Sequence, residues 1–263
     1  MNKIRLLALD LDGTAVDNYG HLGEKTKAAL LRAHRAGHVV SFVTGRRDID
    51  MVPLPDPGQY ADYLVLNNGG KIVRTGDGGI IQNILTDGAD SKKLIEFCLQ
   101  KNYLLHVILG MYWGVNKMTP GTLDYARELG MTPTVYHSVR DLPCTAVEGF
   151  MATAEGDLVG AYIDREHLAL DYVQSEPTCI DIMKTGISKW DGTKTLCRML
   201  GIPEDNVIAA GNYNNDIDLL KNAGVGVAVQ NALDCVKAAA DYITEADNNH
   251  DAIAEVVQKF LEL

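Results

Sequence analysis

The chain has 263 residues, and its 24 lysines and arginines against 35 aspartates and glutamates give a formal net charge of −11. This length is long for one small domain and short for two, and a hydrophobic content of 46% is sufficient for a buried core. The acid excess argues against nucleic acid and anionic membranes as partners, because both require surfaces rich in lysine and arginine. It leaves open a small phosphorylated ligand.

The N-terminus and the cysteines indicate a cytoplasmic protein. The apolar run before Asp10 is too short for a signal peptide, and no stretch approaches the roughly 20 apolar residues of a membrane span. The five cysteines include no Cys-x-x-Cys pair, which argues against zinc-ribbon and thioredoxin-type sites. We therefore expect reduced cysteines and no membrane partner.

The first part of the chain alternates short aliphatic runs with an amphipathic run. Strands are predicted at 4–9, 38–43 and 62–66, and a helix at 24–36 that Gly37 ends. Strands separated by a helix are typical of βαβ units, and thus of a mostly parallel sheet.

The middle of the chain has a different pattern. A helix is predicted at 91–100, and strand-like runs lie at 103–109, 146–153 and 178–183. We interpret residues 83–185 as a second, α+β domain that is inserted into the first.

The last part returns to alternating elements. Strands are predicted at 207–210, 225–229 and 242–244, and helices at 191–200, 216–223 and 252–261. The predicted fold class is therefore α/β: a Rossmann-like, doubly wound parallel-sheet core formed by 1–82 and 186–263, with an inserted α+β cap domain.

Two carboxylates, Asp10 and Asp12, directly follow the first predicted strand in the segment Asp-Leu-Asp-Gly-Thr. Side chains two residues apart on a strand project to the same side, and the carboxyl ends of parallel strands form the ligand crevice of open α/β sheets. Two anions this close suit a nucleophile with a general acid and base, or a Mg²⁺ site. The alternative is a solvated turn.

This segment, Asp10 to Thr14, resembles motif I of the haloacid dehalogenase superfamily, most of whose members are Mg²⁺-dependent phosphohydrolases. Three further motifs follow in order, so the resemblance covers nearly the whole chain. The second is Thr44-Gly45-Arg46, which alone would be read as a turn. The third is Gly-Ile-Ser-Lys ending at Lys189, which alone would be a surface lysine.

The fourth motif, Gly-Asn-Tyr-Asn-Asn-Asp, is similar to the family's Gly-Asp-x-x-Asn-Asp pattern but departs from it at one position. Asn212 stands where the metal-binding aspartate usually lies, whereas Asn215 and Asp216 match. An amide oxygen can still bind Mg²⁺ but brings no negative charge. The alternative is a polar loop in which a side chain caps the helix that follows.

The position and α+β character of the insert resemble the type IIB cap of the Cof-like phosphatases. Segments at 67–70, 228–232 and 240–244 look like non-catalytic signatures of that group. In such proteins the cap covers the active site and supplies substrate contacts. No cap motif could be carried over residue by residue, so the resemblance implies only a class of substrate: sugar phosphates and other small phosphomonoesters.

The resemblance also implies catalytic roles. Asp10 would attack phosphorus and form an aspartyl-phosphate, while Asp12 would protonate the leaving oxygen and then deprotonate water. Lys189 would be the third catalytic residue, offsetting developing charge and binding phosphate together with Thr44, Gly45 and Asn215.

The implied metal ligands for Mg²⁺ are Asp10, Asp12, Asn212 and Asp216. Arg46 is a candidate substrate contact, although a surface arginine is an equal alternative. Two other functions stay open: a catalytically weakened phosphometabolite-binding or regulatory protein, which Asn212 motivates, and a phosphotransferase with the same nucleophile. The sequence identifies neither the physiological substrate nor the oligomeric state.

Overall fold

The computed structural model describes residues 4–54, 56–176 and 178–261. Contacts divide the chain into two compact units: the first comprises Met1–Thr44, Leu54–Gln82 and Ser188–Leu263, and the second comprises Gly45–Pro53 and Asn83–Ile187. This grouping differs from the sequence-based boundaries mainly at Gly45–Pro53, and those boundaries stay a prediction.

Strands and helices are numbered along the chain. The strands are β1 (Leu6–Leu9), β2 (Val39–Val43), β3 (Tyr63–Leu66), β4 (Lys71–Arg74), β5 (Ile80–Asn83), β6 (Leu105–Leu109), β7 (Tyr112–Val115), β8 (Thr134–Val135), β9 (Gly149–Thr153), β10 (Leu170–Glu176), β11 (Cys179–Lys184), β12 (Val207–Gly211), β13 (Val225–Ala228) and β14 (Tyr242–Ile243). The helices are α1 (Glu24–Arg35), α2 (Gly88–Lys101), α3 (Pro120–Leu129), α4 (Gly156–Arg165), α5 (Lys189–Leu200), α6 (Ile217–Asn222), α7 (Asp234–Lys237) and α8 (Ala252–Leu261).

The first unit is built on a sheet whose described strands run in the order β14-β13-β12-β1-β2-β3-β4-β5. The strands from β14 to β3 are parallel, and β4 is antiparallel to β3. From β1 the chain winds outward through β2, and from β12 it winds the other way through β13. The order therefore reverses between β1 and β12, which is the topological switch point where open α/β sheets bind ligands.

Two of the central strands of this sheet, β1 and β12, are buried at every residue. Leu6 and Ala8 of β1 pack in a core cluster with side chains of α5, including Trp190 and Leu196. Strands buried on both faces require nearly continuous apolar sequence, which explains why the aliphatic runs predicted these strands well.

The second unit contains a sheet in the order β10-β11-β9-β6-β7-β8, antiparallel except for the β7–β8 pair. Alternate residues of its strands, such as Leu105 and Val107, pack against Leu94 of α2 and Val159 of α4. The predicted fold class, a doubly wound α/β core with an inserted α+β domain, is thus confirmed.

Two cap helices, α3 and α4, were not among the predicted elements. The start of α3 has a clear physical signal: the Thr119 side chain accepts a hydrogen bond from the Thr122 amide, and Pro120 takes the first helical position. Within the described ranges, no helix has the length and apolar character that a membrane span requires.

A close backbone approach holds α5 against the turn after β3. Gly69 has φ +106°, and the carbonyl of Ser188 occupies the place where a Cβ on Gly69 would lie. Gly192 of α5 faces the backbone of Gly69 in the same contact. Side chains on either residue would separate α5 from the sheet.

We expect Gly69→Ala to lower the free energy of unfolding by about 2–4 kcal/mol, because it adds both backbone strain and a clash with backbone atoms. Urea unfolding would measure the change. Gly76→Ala is the control, since a Cβ there meets open space, and it should change stability by less than about 1 kcal/mol. Equal effects of the two substitutions would contradict the close approach.

Candidate functional site

The carboxyl ends of β1 and β12 lie side by side. The register pairs Leu9 with Ala210, and the amide of Asp10 donates to the carbonyl of Ala210 at 3.0 Å. The segment after β1 that carries Asp10 and the segment after β12 that carries Asn212 therefore leave the sheet at the same level. This is the edge at which the sequence analysis places the site.

Asp10 is buried, with a relative exposure of 4%. Its Oδ1 accepts a hydrogen bond from Lys189 Nζ at 2.7 Å, whereas its buried Oδ2 has no hydrogen-bond partner. Burial and, to a lesser extent, repulsion from Asp216 together raise the pKa of Asp10 to about 7, against the opposing effect of Lys189. A buried carboxylate with one oxygen held and the other without a hydrogen-bond partner is suited to nucleophilic attack or cation binding.

Lys189 bridges two carboxylates. It is the first residue of α5, where the side chain of Ser188 caps the helix. Its Nζ donates to Asp10 Oδ1 at 2.7 Å and to Asp216 Oδ1 at 2.6 Å. Burial alone would lower the pKa of Lys189, but Asp10 and Asp216 hold this pKa above its ordinary value. The ammonium therefore stays charged.

Asp216 organises the loop after β12. Its Oδ1 accepts from Lys189, and its Oδ2 accepts from the amides of Asn212 and Tyr213 at 2.9 and 3.0 Å. The side chain is fully buried. By accepting the Tyr213 amide, Asp216 caps the short helical turn 214–216, as the alternative interpretation of this loop expects. Direct metal binding by Asp216 stays a prediction.

Asp12 lies in a turn, because β1 ends at Leu9. The carbonyl of Leu11 accepts the amides of Thr14, Ala15 and Val16 at 3.0–3.1 Å. The prediction that Asp10 and Asp12 project to the same side of a strand is therefore wrong: Asp10 is buried, whereas Asp12 is exposed. Two carboxylates need such different environments if one is to act as a nucleophile and the other as an acid and base.

Thr44 and Asn215 are both tied to the turn after β3. Buried Thr44 donates its amide to Val65 O at 2.8 Å and accepts the amide of Asn68 at 3.0 Å. The Asn215 side chain donates to Asn68 Oδ1 at 3.0 Å. Asn68 thus connects the Thr44 and Asn215 segments. The motifs did not identify it, because it lies in a segment interpreted as non-catalytic. Its φ of +51° is left-handed, a conformation that asparagine adopts more readily than most residues.

Gly45 and Arg46 belong by their contacts to the second unit. There the Arg46 side chain donates from Nη1 to the carbonyl of Asp50 at 3.2 Å. Their predicted roles in phosphate binding and substrate contact stay predictions.

The polar groups present fit a hard cation. Asp10 offers a buried carboxylate oxygen with no hydrogen-bond partner, and the neighbouring candidate ligands are also oxygen donors. The side chain of Asn212 lies against Gly13, where it would collide with a Cβ. Among the residues described, no group of three or more His, Cys, Asp or Glu side chains is arranged to hold a metal ion. The predicted metal ligands are therefore not all carboxylates: they include the amide of Asn212 and the backbone carbonyl of Asp12.

The Asp10 carboxyl should make stability depend on pH. Unfolded Asp10 ionises near pH 3.8 and folded Asp10 near 7, so the folded state binds more protons between these values and the free energy of unfolding falls as pH rises. We expect Asp10→Asn, in buffer with a metal chelator, to be more stable than the wild type by about 1–2 kcal/mol above pH 7 and equally stable below pH 4.

Urea unfolding at pH 8 and pH 4 would measure this difference. Asp124→Asn is the control, because Asp124 is an exposed carboxylate paired with Arg127, and it should show no comparable gain. A loss of stability in Asp10→Asn at pH 8 would mean that the contact with Lys189 outweighs burial and repulsion.

Comparison with known proteins agrees with this architecture. A family model described as haloacid dehalogenase-like hydrolase matches residues 7–257. Among curated proteins, the chain is similar to the 5-amino-6-(5-phospho-D-ribitylamino)uracil phosphatase YcsE of Bacillus subtilis (strain 168), with 27% identity over 262 residues that cover 98% of this chain and 96% of that protein.

Solved structures show the same fold. A haloacid dehalogenase-like hydrolase from Bacteroides thetaiotaomicron superimposes with a TM-score of 0.86 at 23% identity, covering 98% of this chain and 99% of that one. The HAD subclass IIB sugar phosphatase BT4131 gives a TM-score of 0.84 at 22% identity, covering 98% and 100%. The resemblance inferred from four ordered motifs is confirmed: the chain belongs to the haloacid dehalogenase-like hydrolase family, in its Cof-like branch.

Proposed function

We propose that the protein is a Mg²⁺-dependent phosphomonoester hydrolase that works through an aspartyl-phosphate on Asp10. The observation that carries this proposal is the buried Asp10 carboxylate, with Oδ1 held by Lys189 and Oδ2 without a hydrogen-bond partner. A nucleophile needs one oxygen fixed for orientation and one available for attack.

In the proposed reaction, an Asp10 oxygen attacks phosphorus as the bond to the leaving oxygen breaks. Asp12 donates a proton to that oxygen, which leaves as an alcohol. Asp12 then takes a proton from a water molecule, which attacks the aspartyl-phosphate, releases inorganic phosphate and restores the Asp10 carboxylate. The exposed position of Asp12 suits it to exchange protons with substrate and water.

Lys189 offsets negative charge throughout this sequence. Its contact with Asp216 keeps its ammonium beside Asp10 while phosphorylation changes the Asp10 carboxylate. Thr44, Gly45 and Asn215 are proposed to bind phosphoryl oxygens, and the bond from Asn215 to Asn68 would orient its amide. Arg46 is proposed as a substrate contact.

Mg²⁺ would be held by the Asp10 carboxylate, the Asp12 backbone carbonyl and Asn212, with Asp216 assisting directly or through water. Bound there, the cation supplies charge neutralisation at the phosphoryl group. Because Asp216 Oδ2 already accepts two amides, it serves first to hold the Asn212 backbone in place.

Relatives support a small phosphorylated metabolite as substrate. YcsE is named as the phosphatase of a phosphorylated ribitylamino-uracil, and other relatives are named as phosphatases. We propose sugar phosphates or other small phosphomonoesters as the substrate class. A binding or regulatory protein is the second candidate, because Asn212 removes one carboxylate from the family pattern; a phosphotransferase would use the same nucleophile with an acceptor hydroxyl in place of water.

We expect Mg²⁺-dependent release of phosphate from p-nitrophenyl phosphate, and loss of at least about 10³-fold in kcat for Asp10→Asn, since an amide cannot form the same intermediate. Product release followed with and without a chelator would measure both. Asp124→Asn should retain full activity. Full activity in Asp10→Asn would disprove the nucleophile assignment, and inactivity of the wild type on a panel of phosphometabolites would favour the binding protein.

Asn212→Asp should lower the Mg²⁺ concentration required for half-maximal activity, because a carboxylate binds a hard cation more strongly than an amide does. We expect a decrease of about tenfold, equivalent to about 1.4 kcal/mol. A Mg²⁺ titration of activity would measure it, with Asn222→Asp on α6 as a control for added charge. An unchanged midpoint would show that residue 212 does not contact the cation.

A further inference from the structure

Two asparagines from the C-terminal part of the chain contact the turn that carries Asp12. Asn231 Nδ2 donates to the carbonyl of Gly13 at 2.8 Å. Asn248 Nδ2 donates to the carbonyl of Val16 at 3.1 Å and to Asn18 Oδ1 at 3.0 Å. The Asn248 amide in turn donates to Asn231 Oδ1 at 3.0 Å. We call Asn231 and Asn248 the asparagine clasp.

The clasp requires asparagine chemistry. Asn231 uses its side chain both as a donor to a carbonyl and as an acceptor from an amide, which fixes the orientation of its carboxamide. Asn248 is 6% exposed and uses its Nδ2 twice, while its Oδ1 accepts from Asn249 Nδ2 at 3.2 Å. A carboxylate or an alkyl group of the same size could not make this set of bonds.

The clasp acts on a turn that also has backbone contacts of its own. Within the turn, Leu11 O accepts three successive amides. Gly13 adopts φ +69°, a left-handed conformation that leaves its carbonyl facing Asn231. Asp12 lies between these two holding points, so its backbone direction depends on both.

We propose that Asn231 and Asn248 are positioning residues that aim the Asp12 carboxyl at the leaving oxygen. This inference rests on the proposed phosphomonoester hydrolysis. It assigns a function to the segment at 228–232, which the family resemblance leaves non-catalytic, and to Asn248. A purely structural clasp would stabilise the fold without affecting one chemical step more than another.

The basicity of the leaving group separates these two roles. Phenolate is a more basic leaving group than p-nitrophenolate, so cleavage of phenyl phosphate depends more on a proton from Asp12. The value of kcat/KM reports steps up to transfer of the phosphoryl group to Asp10. Asp12→Asn provides the reference pattern for loss of the acid.

We expect Asn231→Asp to lower kcat/KM about tenfold for phenyl phosphate and less than about threefold for p-nitrophenyl phosphate, the same direction as Asp12→Asn. Asn248→Ser should show the same selectivity. Gln230→Glu is the matched control, because it makes the same amide-to-carboxylate change at the adjacent exposed residue, and it should affect neither substrate. Equal losses on both substrates would overturn the positioning role.

Hydrogen exchange tests the clasp without any activity. Asn231→Asp should increase exchange of the Thr14, Ala15 and Val16 amides about tenfold and leave the amides of β1 unchanged. Unchanged exchange at all three amides would overturn the clasp. If the wild type hydrolyses neither aryl phosphate while Asn231→Asp still speeds exchange of these amides, the proposed function is refuted and the clasp is supported.

Discussion

The contact of Lys189 with Asp10 and Asp216 is the constraint on which the rest of the first unit depends. Two buried carboxylates in the segments that follow adjacent strands repel each other, and burying them without a cation would be prohibitive. Lys189 provides that cation at 2.7 and 2.6 Å. To reach both, α5 must begin close to the sheet edge, and the glycine contact between Gly69 and Gly192 permits that approach.

Sequence patterns predicted the interior of the fold better than its edges. The central strands are apolar apart from Ser41 in β2, so β1, β2, β3 and β12 were predicted to within about two residues, and α8 at its observed bounds. The strands β4, β5, β7, β8 and β10 were not predicted. Of these, β4, β5 and β8 are short and partly exposed, which weakens the apolar pattern that marks a strand. The helices α3 and α4 were also missed, although each buries one face and Thr119 and Pro120 mark the start of α3.

The residues of the candidate site also divide into those that the motifs identified and those that they did not. Asp10 and Lys189 were identified by motif, and the structure brings their side chains together although 179 positions separate them. Metal binding by Asp216 stays a prediction, while its described bonds show a carboxylate that joins the Asn212–Tyr213 backbone to Lys189. Asn68, Asn231 and Asn248 could not have been found from spacing, because each acts on a segment more than 140 residues away.

In the proposed enzyme, the neutral side chain of Asn212 would affect the nucleophile as well as the cation. Asp10 and Asp216 together exceed the charge of Lys189 by one, and burial with repulsion already raises the pKa of Asp10 to about 7. A third carboxylate at 212, beside the Asp216 side chain that holds its backbone, would add repulsion and favour the protonated, non-nucleophilic form. In the proposed enzyme, an amide at this position would therefore lower cation affinity and leave an Asp10 carboxylate that ionises more easily in the absence of the cation.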